Sequence, residues 1–278
     1  MKLIIQGENL SQEKIRSIVD ISKAKLNTQT SSKSWRLDNV DAATHDMVMS
    51  LSKSLEVDIA FLPDDVNFKD YKLLAMDMDC TFIQIECIDE IADLYGVKDQ
   101  VAAITHASMN GELDFNESLT RRVALLKGLE ESALQTVFDK KLRLSPGAEI
   151  MLDNLKKEGI KTLLVSGGFT FFTEKLKEQY QLDYTRANTL EIKNGMLTGK
   201  IIGDIVNAEK KAETLLRYCN ELGIEPKQTI AMGDGANDLK MLHAAGLSIA
   251  YHAKPKVKAQ ADISFDYVGL DGVINLFK

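Results

Sequence analysis

Lys72-Leu-Leu-Ala-Met-Asp-Met-Asp-Cys-Thr81 reads as a short apolar strand that runs out into two carboxylates and a hydroxyl. Alternation along a strand places Asp77 and Asp79 on one side, where their charges repel. Such a pair is costly unless a cation joins it or one member keeps a proton. Alone, the stretch reads equally well as a strand end feeding a polar turn. Three further stretches bear on the choice. Val165-Ser-Gly-Gly168 places a hydroxyl and small residues between a strand and a helix start, where N–H groups and the helix dipole suit an anion. Lys211 lies one turn into a helix whose cap is Asn207. Gly233-Asp-Gly-Ala-Asn-Asp238 brackets Asp234 with two glycines, predicting a sharp turn that leaves the carboxylate exposed above a sheet. Taken singly, Ser-Gly-Gly is also a plain tight turn, Asn237 an N-cap and Lys211 a solvated helix lysine. Together they supply a carboxylate nucleophile, two further acids, a hydroxyl and a lysine. Phosphoryl transfer through an aspartyl phosphate, assisted by a hard divalent cation, requires that set.

The elements that must position these residues follow from periodicity. From Ser145 onward strands and helices alternate: strand Ile160–Val165, helix Phe169–Tyr180, and a hairpin turning at Asn194-Gly195. Next come a helix to about Leu222, strand Thr229–Met232, a helix from Asn237 to Ala245, and strands Leu247–Tyr251 and Ile263–Phe265. Ser145 is predicted as an N-cap with Pro146 at the first helical position. Short buried strands separated by helices imply an α/β fold with a doubly wound, mostly parallel, Rossmann-like sheet. Residues 67–84 and 145–278 form this core. Residues 85–144 read as helix throughout, a helical cap inserted directly after the Asp77 strand. Ile88, Ile91, Ala92 and Tyr95 form one apolar face there, and Gly96 ends the helix.

Residues 1–66 read as a small α+β domain in the order β-α-β-α-β. It has strands at Lys2–Gln6, around Trp35 and Leu37, and at Val57–Leu62, with a polar stretch from Asn27 to Ser34. Its second helix, from about Ala42 to Leu55, turns Met47, Leu51 and Leu55 inward. A unit this small buries little surface alone, so it leans on the rest of the chain or on a second copy in a homodimer. It carries no catalytic cluster; Trp35 and His45 are packing or surface residues.

The chain of 278 residues, 45% hydrophobic and 27% charged, has the composition of a packed globular protein. A net charge of −7 argues against nucleic acid or an anionic membrane as the main partner, while leaving room for a small phosphorylated molecule. Cys80, Cys87 and Cys219 are an odd set without C-x-x-C spacing, which argues against a disulfide framework and for a reducing cytoplasm. The apolar run at the N-terminus is too short for a signal peptide, and no window approaches a membrane span.

In order, Asp77-Met-Asp-Cys-Thr81, Ser166-Gly167-Gly168, Lys211 and Gly233-Asp-Gly-Ala-Asn-Asp238 resemble the four signatures of the haloacid dehalogenase-like hydrolases. From Lys72 onward the chain resembles the branch of that family that hydrolyses O-phospho-L-serine. Glu86-Cys-Ile-Asp-Glu-Ile, Met109-Asn-Gly-Glu-Leu-Asp-Phe115, Arg121-Arg122-Val, Ser166-Gly-Gly-Phe-Thr-Phe-Phe172 and Ala250-Tyr-His-Ala-Lys-Pro255 carry the closer match. The resemblance implies that Asp77 attacks phosphorus, while Asp79 protonates the departing oxygen and then activates water. It implies Mg2+ held by Asp77, Asp234 and the backbone carbonyl of Asp79, with Asp238 supporting its water shell. Ser166, Gly167, Lys211 and Asn237 hold phosphate oxygens. Glu86 meets the substrate ammonium, Arg122 its carboxylate, and Met109 with Phe115 forms an apolar wall. The carboxylate at Asp79 separates this reading from the family's ion pumps and dehalogenases. Cys80 departs from the pattern, standing where the family usually has serine. The implied reaction completes serine biosynthesis. The alternatives are transfer of the phosphoryl group to another alcohol such as homoserine, action on another small phosphomonoester, or an inert amino-acid-binding regulator. The intact acid and lysine set argues against the last. Residues 1–66 resemble the ligand-binding modules of some relatives in truncated form, which suggests a regulatory or dimerising role.

Overall fold

The computed structural model describes residues Met1 to Lys278. A four-stranded antiparallel sheet is built from β1 (Lys2–Gln6), β2 (Leu26–Ser31), β3 (Ser34–Asp38) and β4 (Asp58–Leu62), in the order β2-β3-β1-β4. A seven-stranded sheet contains β5 (Leu73–Met76), β6 (Lys161–Phe169), β7 (Tyr184–Lys193), β8 (Met196–Ile202), β9 (Thr229–Gly233), β10 (Leu247–Tyr251) and β11 (Ile263–Phe265). Its order is β11-β10-β9-β5-β6-β7-β8. The pairs β9–β10, β10–β11 and β6–β7 run parallel, and the β7–β8 hairpin is antiparallel. The sequence predicts this mostly parallel α/β sheet.

The chain gathers into two compact units. One comprises residues 1–74, 146–161 and 224–278, the other residues 75–145 and 162–223. In the first unit, helices α1 (Gln12–Ser22) and α2 (His45–Leu55) cover one face of the small sheet. Leu3 and Ile5 of β1 meet Ile15, Ile18 and Val48 there, with Trp35 and Leu37. The element order is β-α-β-β-α-β, with one strand more than the sequence predicts. The extra strand, β2, is an edge strand of mostly exposed polar residues, held to β3 by backbone pairing. It therefore shows no apolar alternation. Helix α2 keeps two of the three expected inward residues, Leu51 and Leu55, and corrects the third. A short 3-10 turn at Ala42–Thr44 precedes it; Thr44, Val48, Leu51 and Leu55 face inward, and Met47 is exposed.

The small sheet is tied to the C-terminal segment through Asp58 on β4. Its carboxylate is buried and accepts the N–H groups of Asp266, Tyr267 and Val268 at 2.7, 3.0 and 3.0 Å. One side chain thus satisfies three consecutive donors that a strand end leaves open.

In the second unit, β5 stops at Met76 and the chain winds tightly through Met78–Phe82, with Cys80 in the left-handed region at φ 55°. Four helices follow: α3 (Cys87–Tyr95), α4 (Lys98–Met109), α5 (Phe115–Ala124) and α6 (Ser132–Lys140). On α3, Ile88, Ile91 and Ala92 are buried, Tyr95 is exposed, and Gly96 closes the helix at φ 71°. The unit continues through β6, α8 (Thr170–Tyr180), the β7–β8 hairpin and α9 (Ala208–Leu222). Asn194 and Gly195 turn that hairpin with φ 52° and 74°, as their sequence predicts.

Ser145 is not a helix cap. It is buried, and its N–H donates to the Phe82 carbonyl at 2.9 Å. Helix α7 (Ala148–Lys157) starts three residues later, after Gly147 at φ 76°. A side chain at Gly147 would collide with the Asp271 carboxylate, so glycine is required on both counts.

Asp58→Ala would strand three buried donors. The expected loss in unfolding free energy, measured by urea denaturation, is roughly 2–4 kcal/mol. Faster amide exchange at Asp266–Val268 should accompany it. Unchanged stability and protection would contradict the tie.

Candidate active site

The winding after β5 positions both acids. Asp77, with extended backbone, accepts the N–H of Met78 on Oδ1 at 2.7 Å. The Nζ of Lys211 lies 2.7 Å from the same oxygen, and both side chains are buried. Lys211 arrives there because Asn207 caps α9: its Oδ1 accepts from Lys210 N at 3.1 Å and its carbonyl from Lys211 N at 2.9 Å. Lys211 is thus inside the unit, and the solvated-lysine reading does not hold.

Asp79 is held differently. Its Oδ1 accepts the N–H of Cys87 at 2.8 Å, and its Oδ2 accepts the hydroxyl of Ser166 at 3.3 Å. Burial pushes its carboxyl above the usual range, against the opposing pull of the Cys87 amide, Lys211 and Ser166. Asp77 keeps a cation beside it while the environment of Asp79 favours retaining a proton. The contribution of Cys87 is invisible in sequence, because it comes from a backbone N–H at the start of α3. Its thiol is pushed well above its ordinary value by burial and by Asp79.

Ser166, Gly167 and Gly168 fall where the β6–β7 register breaks, between Val165 and Phe169. The Ser166 hydroxyl also accepts the N–H of Gly168 at 2.8 Å. A Cβ on Gly168 would stand 2.6 Å from Asp79 Oδ2, and one on Gly167 2.9 Å from Phe115 Cζ. The glycines are there for close approach. Half-buried Phe115 opens α5 against this loop, while Met109 at the end of α4 is 64% exposed.

Glu86 precedes α3, and Cys80 Sγ lies 3.8 Å from its Oε1. Arg122 on α5 is half-buried. Burial pulls its pKa down, while Glu86, Asp89 and Asp79 pull it up. Its Nε is buried with no hydrogen-bond partner. A guanidinium N–H that is desolvated and unpaired is costly unless a ligand completes it.

In the other unit, Asp234 follows β9 half-buried, and its carbonyl accepts the N–H of Lys254 at 3.2 Å. The Asp238 carboxylate, fully buried, accepts the N–H of Gly235 at 2.9 Å. Asn237 is half-buried in the short turn Ala236–Asp238, which Gly235 precedes, so Asn237 is not the N-cap. Neither Gly233 nor Gly235 has a left-handed φ. Gly233 is needed because Asp238 occupies the space of a side chain.

The chain belongs to the haloacid dehalogenase-like hydrolases: that family's model matches residues 71–246. It is 51% identical to a phosphoserine phosphatase of Polaromonas over 82% of this chain and 98% of the relative. Against a phosphoserine phosphatase of Vibrio cholerae the identity is 44%, over 86% of this chain and 74% of the relative. Among solved structures, a HAD family hydrolase from Salmonella enterica serovar Typhi superposes with a TM-score of 0.91 at 34% identity, covering 100% of this chain and 98% of the other. A substrate-bound phosphoserine phosphatase complex gives 0.70 at 39% identity over 75% and 99% of the two chains. No helix is long and apolar enough to cross a membrane.

Lys211→Met leaves Asp77 buried without its cation. In metal-free buffer this should lower the unfolding free energy by about 3–5 kcal/mol. A denaturation curve unchanged from the parent protein would contradict the importance of the pair.

Proposed function

We propose that the chain is a magnesium-dependent phosphatase that hydrolyses O-phospho-L-serine to L-serine and phosphate, the step that completes serine biosynthesis. The observation that carries the substrate assignment is Arg122, half-buried with its Nε fully buried and lacking a partner, with Glu86 and Asp89 among the charges acting on it. A substrate bearing both a carboxylate and an ammonium answers it, the carboxylate at Arg122 and the ammonium at Glu86. The phosphoserine phosphatases among its relatives support the same substrate.

In this reading an Asp77 oxygen attacks phosphorus, forming the aspartyl phosphate as the bond from phosphorus to the serine oxygen breaks. Lys211 and the Met78 N–H hold the Asp77 carboxylate in one rotation through Oδ1. Asp79 gives its proton to the serine oxygen, whose alkoxide is a poor leaving group. It then takes a proton from the water that releases phosphate and restores Asp77. Ser166, Gly167, Lys211 and Asn237 hold the phosphate oxygens, with N–H and ammonium donors aimed where charge develops. Asp77, Asp234 and Asp238 are an oxygen-only acidic set that could hold a metal ion, and hard carboxylates suit Mg2+. Asp77, Asp234 and the Asp79 carbonyl would hold the cation, which would supply charge neutralisation at the phosphate.

Residues 85–144 would form the substrate cap, with Met109 and Phe115 as its apolar wall, over a core of residues 67–84 and 145–278. Residues 1–66 would be a regulatory or dimerising domain, in a cytoplasmic enzyme whose partner is a small molecule. Transfer to a second alcohol such as homoserine uses the same aspartyl phosphate, and no feature of the chain favours it.

The test is phosphate release from a panel of phosphomonoesters with Mg2+, for the parent protein and Arg122→Ala. The parent should prefer phosphoserine to sugar phosphates. The variant should lose on the order of 10²-fold in kcat/KM for phosphoserine, the worth of a charged hydrogen-bonded contact. Its loss on p-nitrophenyl phosphate, which has no carboxylate to grip, should be far smaller. Equal rates across the panel, or equal losses on both substrates, would sink the assignment.

A further inference from the structure

Asn188, on β7, is buried and makes two hydrogen bonds that no other side chain replaces. Its Nδ2 donates to the carbonyl of Gly167 at 2.7 Å, and its Oδ1 accepts the N–H of Val206 at 2.8 Å. Only one orientation of the amide satisfies a carbonyl on one side and an N–H on the other. Val206 immediately precedes Asn207, the cap of the helix that delivers Lys211 to Asp77.

The Gly167–Gly168 peptide is therefore gripped at both ends. Asn188 holds its carbonyl, and the Ser166 hydroxyl oxygen accepts its N–H at 2.8 Å. With its oxygen lone pair committed to Gly168, the Ser166 hydroxyl has its proton directed at Asp79 Oδ2, 3.3 Å away. A continuous chain of donors and acceptors thus runs from Asn188 through Gly167, Gly168 and Ser166 to the acid. The same residue anchors the start of the segment that carries Lys211.

We propose that Asn188 is a positioning residue that sets the orientation of Asp79 through the Ser166-Gly167-Gly168 loop, so that proton donation to an alkyl leaving group depends on it. This rests on the assignment of Asp79 as the proton donor. Asn188 touches neither acid. It acts by fixing one peptide plane, and loss of that plane frees the Ser166 hydroxyl to rotate away from Oδ2.

The discriminating experiment uses leaving groups. Serine leaves as a strongly basic alkoxide that needs a proton, whereas p-nitrophenolate needs almost none. Asn188→Asp keeps the shape and the acceptor for Val206 N–H, but turns a donor facing the Gly167 carbonyl into an acceptor. Asn188→Ala removes both bonds. Measured as kcat/KM, which covers the steps through leaving-group departure, Asn188→Asp should lose on the order of 10²-fold on phosphoserine, the scale of general acid catalysis. The loss on p-nitrophenyl phosphate should be at least tenfold smaller, about the effect of a loosened phosphate loop alone. Equal losses on both substrates would overturn the proposal, leaving Asn188 as a support for phosphate binding. No loss would overturn it as well, and so would unfolding of both variants, which would make Asn188 scaffold only. If the parent protein itself fails to prefer phosphoserine, the substrate reading falls instead. The comparison then runs with any alkyl phosphate that the enzyme accepts.

Discussion

The ion pair between Lys211 and Asp77 is the constraint around which its unit is organised. Nζ and Oδ1 are 2.7 Å apart with both side chains out of water. Two such charges are expensive to bury, and their attraction offsets the cost only with good geometry and further hydrogen bonds. The structure supplies both from a distance. Asn207 sets the phase of α9 so that the residue one turn on faces inward. The stop of β5 at Met76 and the tight winding after it bring the Met78 N–H onto the same carboxylate oxygen. A pair built in this way places an ammonium and an N–H donor on one oxygen of Asp77, contacts that favour the carboxylate over the acid.

Asp79, two residues on, has the opposite treatment. Its carboxylate is met by the N–H and the thiol of Cys87 and by the Ser166 hydroxyl, none of them a cation. Its burial therefore dominates and raises its pKa. The repulsion between two neighbouring acids is met by a lysine beside Asp77 and by burial that raises the pKa of Asp79. The close approach of Gly168 to Asp79 Oδ2 shows how tightly the second acid is enclosed.

Much of this was legible in the sequence because it is carried by side chains at fixed spacing. Asp77, Asp79, Ser166 and Lys211 are four such cases, and the structure brings them together. The features that escaped are of other kinds. Strand β2 is held by backbone bonds alone, so its polar residues gave no periodic signal. On α2, Leu51 and Leu55 face inward as expected, but the buried position one turn earlier is Val48 and not Met47. Ser145-Pro146 has the composition of a helix start, yet Gly147 and its clearance from Asp271 decide where α7 begins. Gly233 and Gly235 invited a conformational explanation, while Gly233 answers a steric one. The Cys87 amide reaches Asp79 as a backbone donor, and Asn188 bonds the backbone of Gly167 and Val206, contacts that only the folded chain brings within reach. Asn188 left one hint, a buried amide side chain among the apolar positions of β7, where an unsatisfied polar group would be costly.

The proposed mechanism makes Asp77 the covalent nucleophile and divides the remaining work among its neighbours. Rapid acid quench during turnover of phosphoserine, followed by borohydride reduction and peptide mapping, tests this most directly. Reduction converts an aspartyl phosphate to homoserine, and that conversion is expected at Asp77 alone. Homoserine at any other aspartate, or none at all under conditions where phosphate is being released, would contradict it.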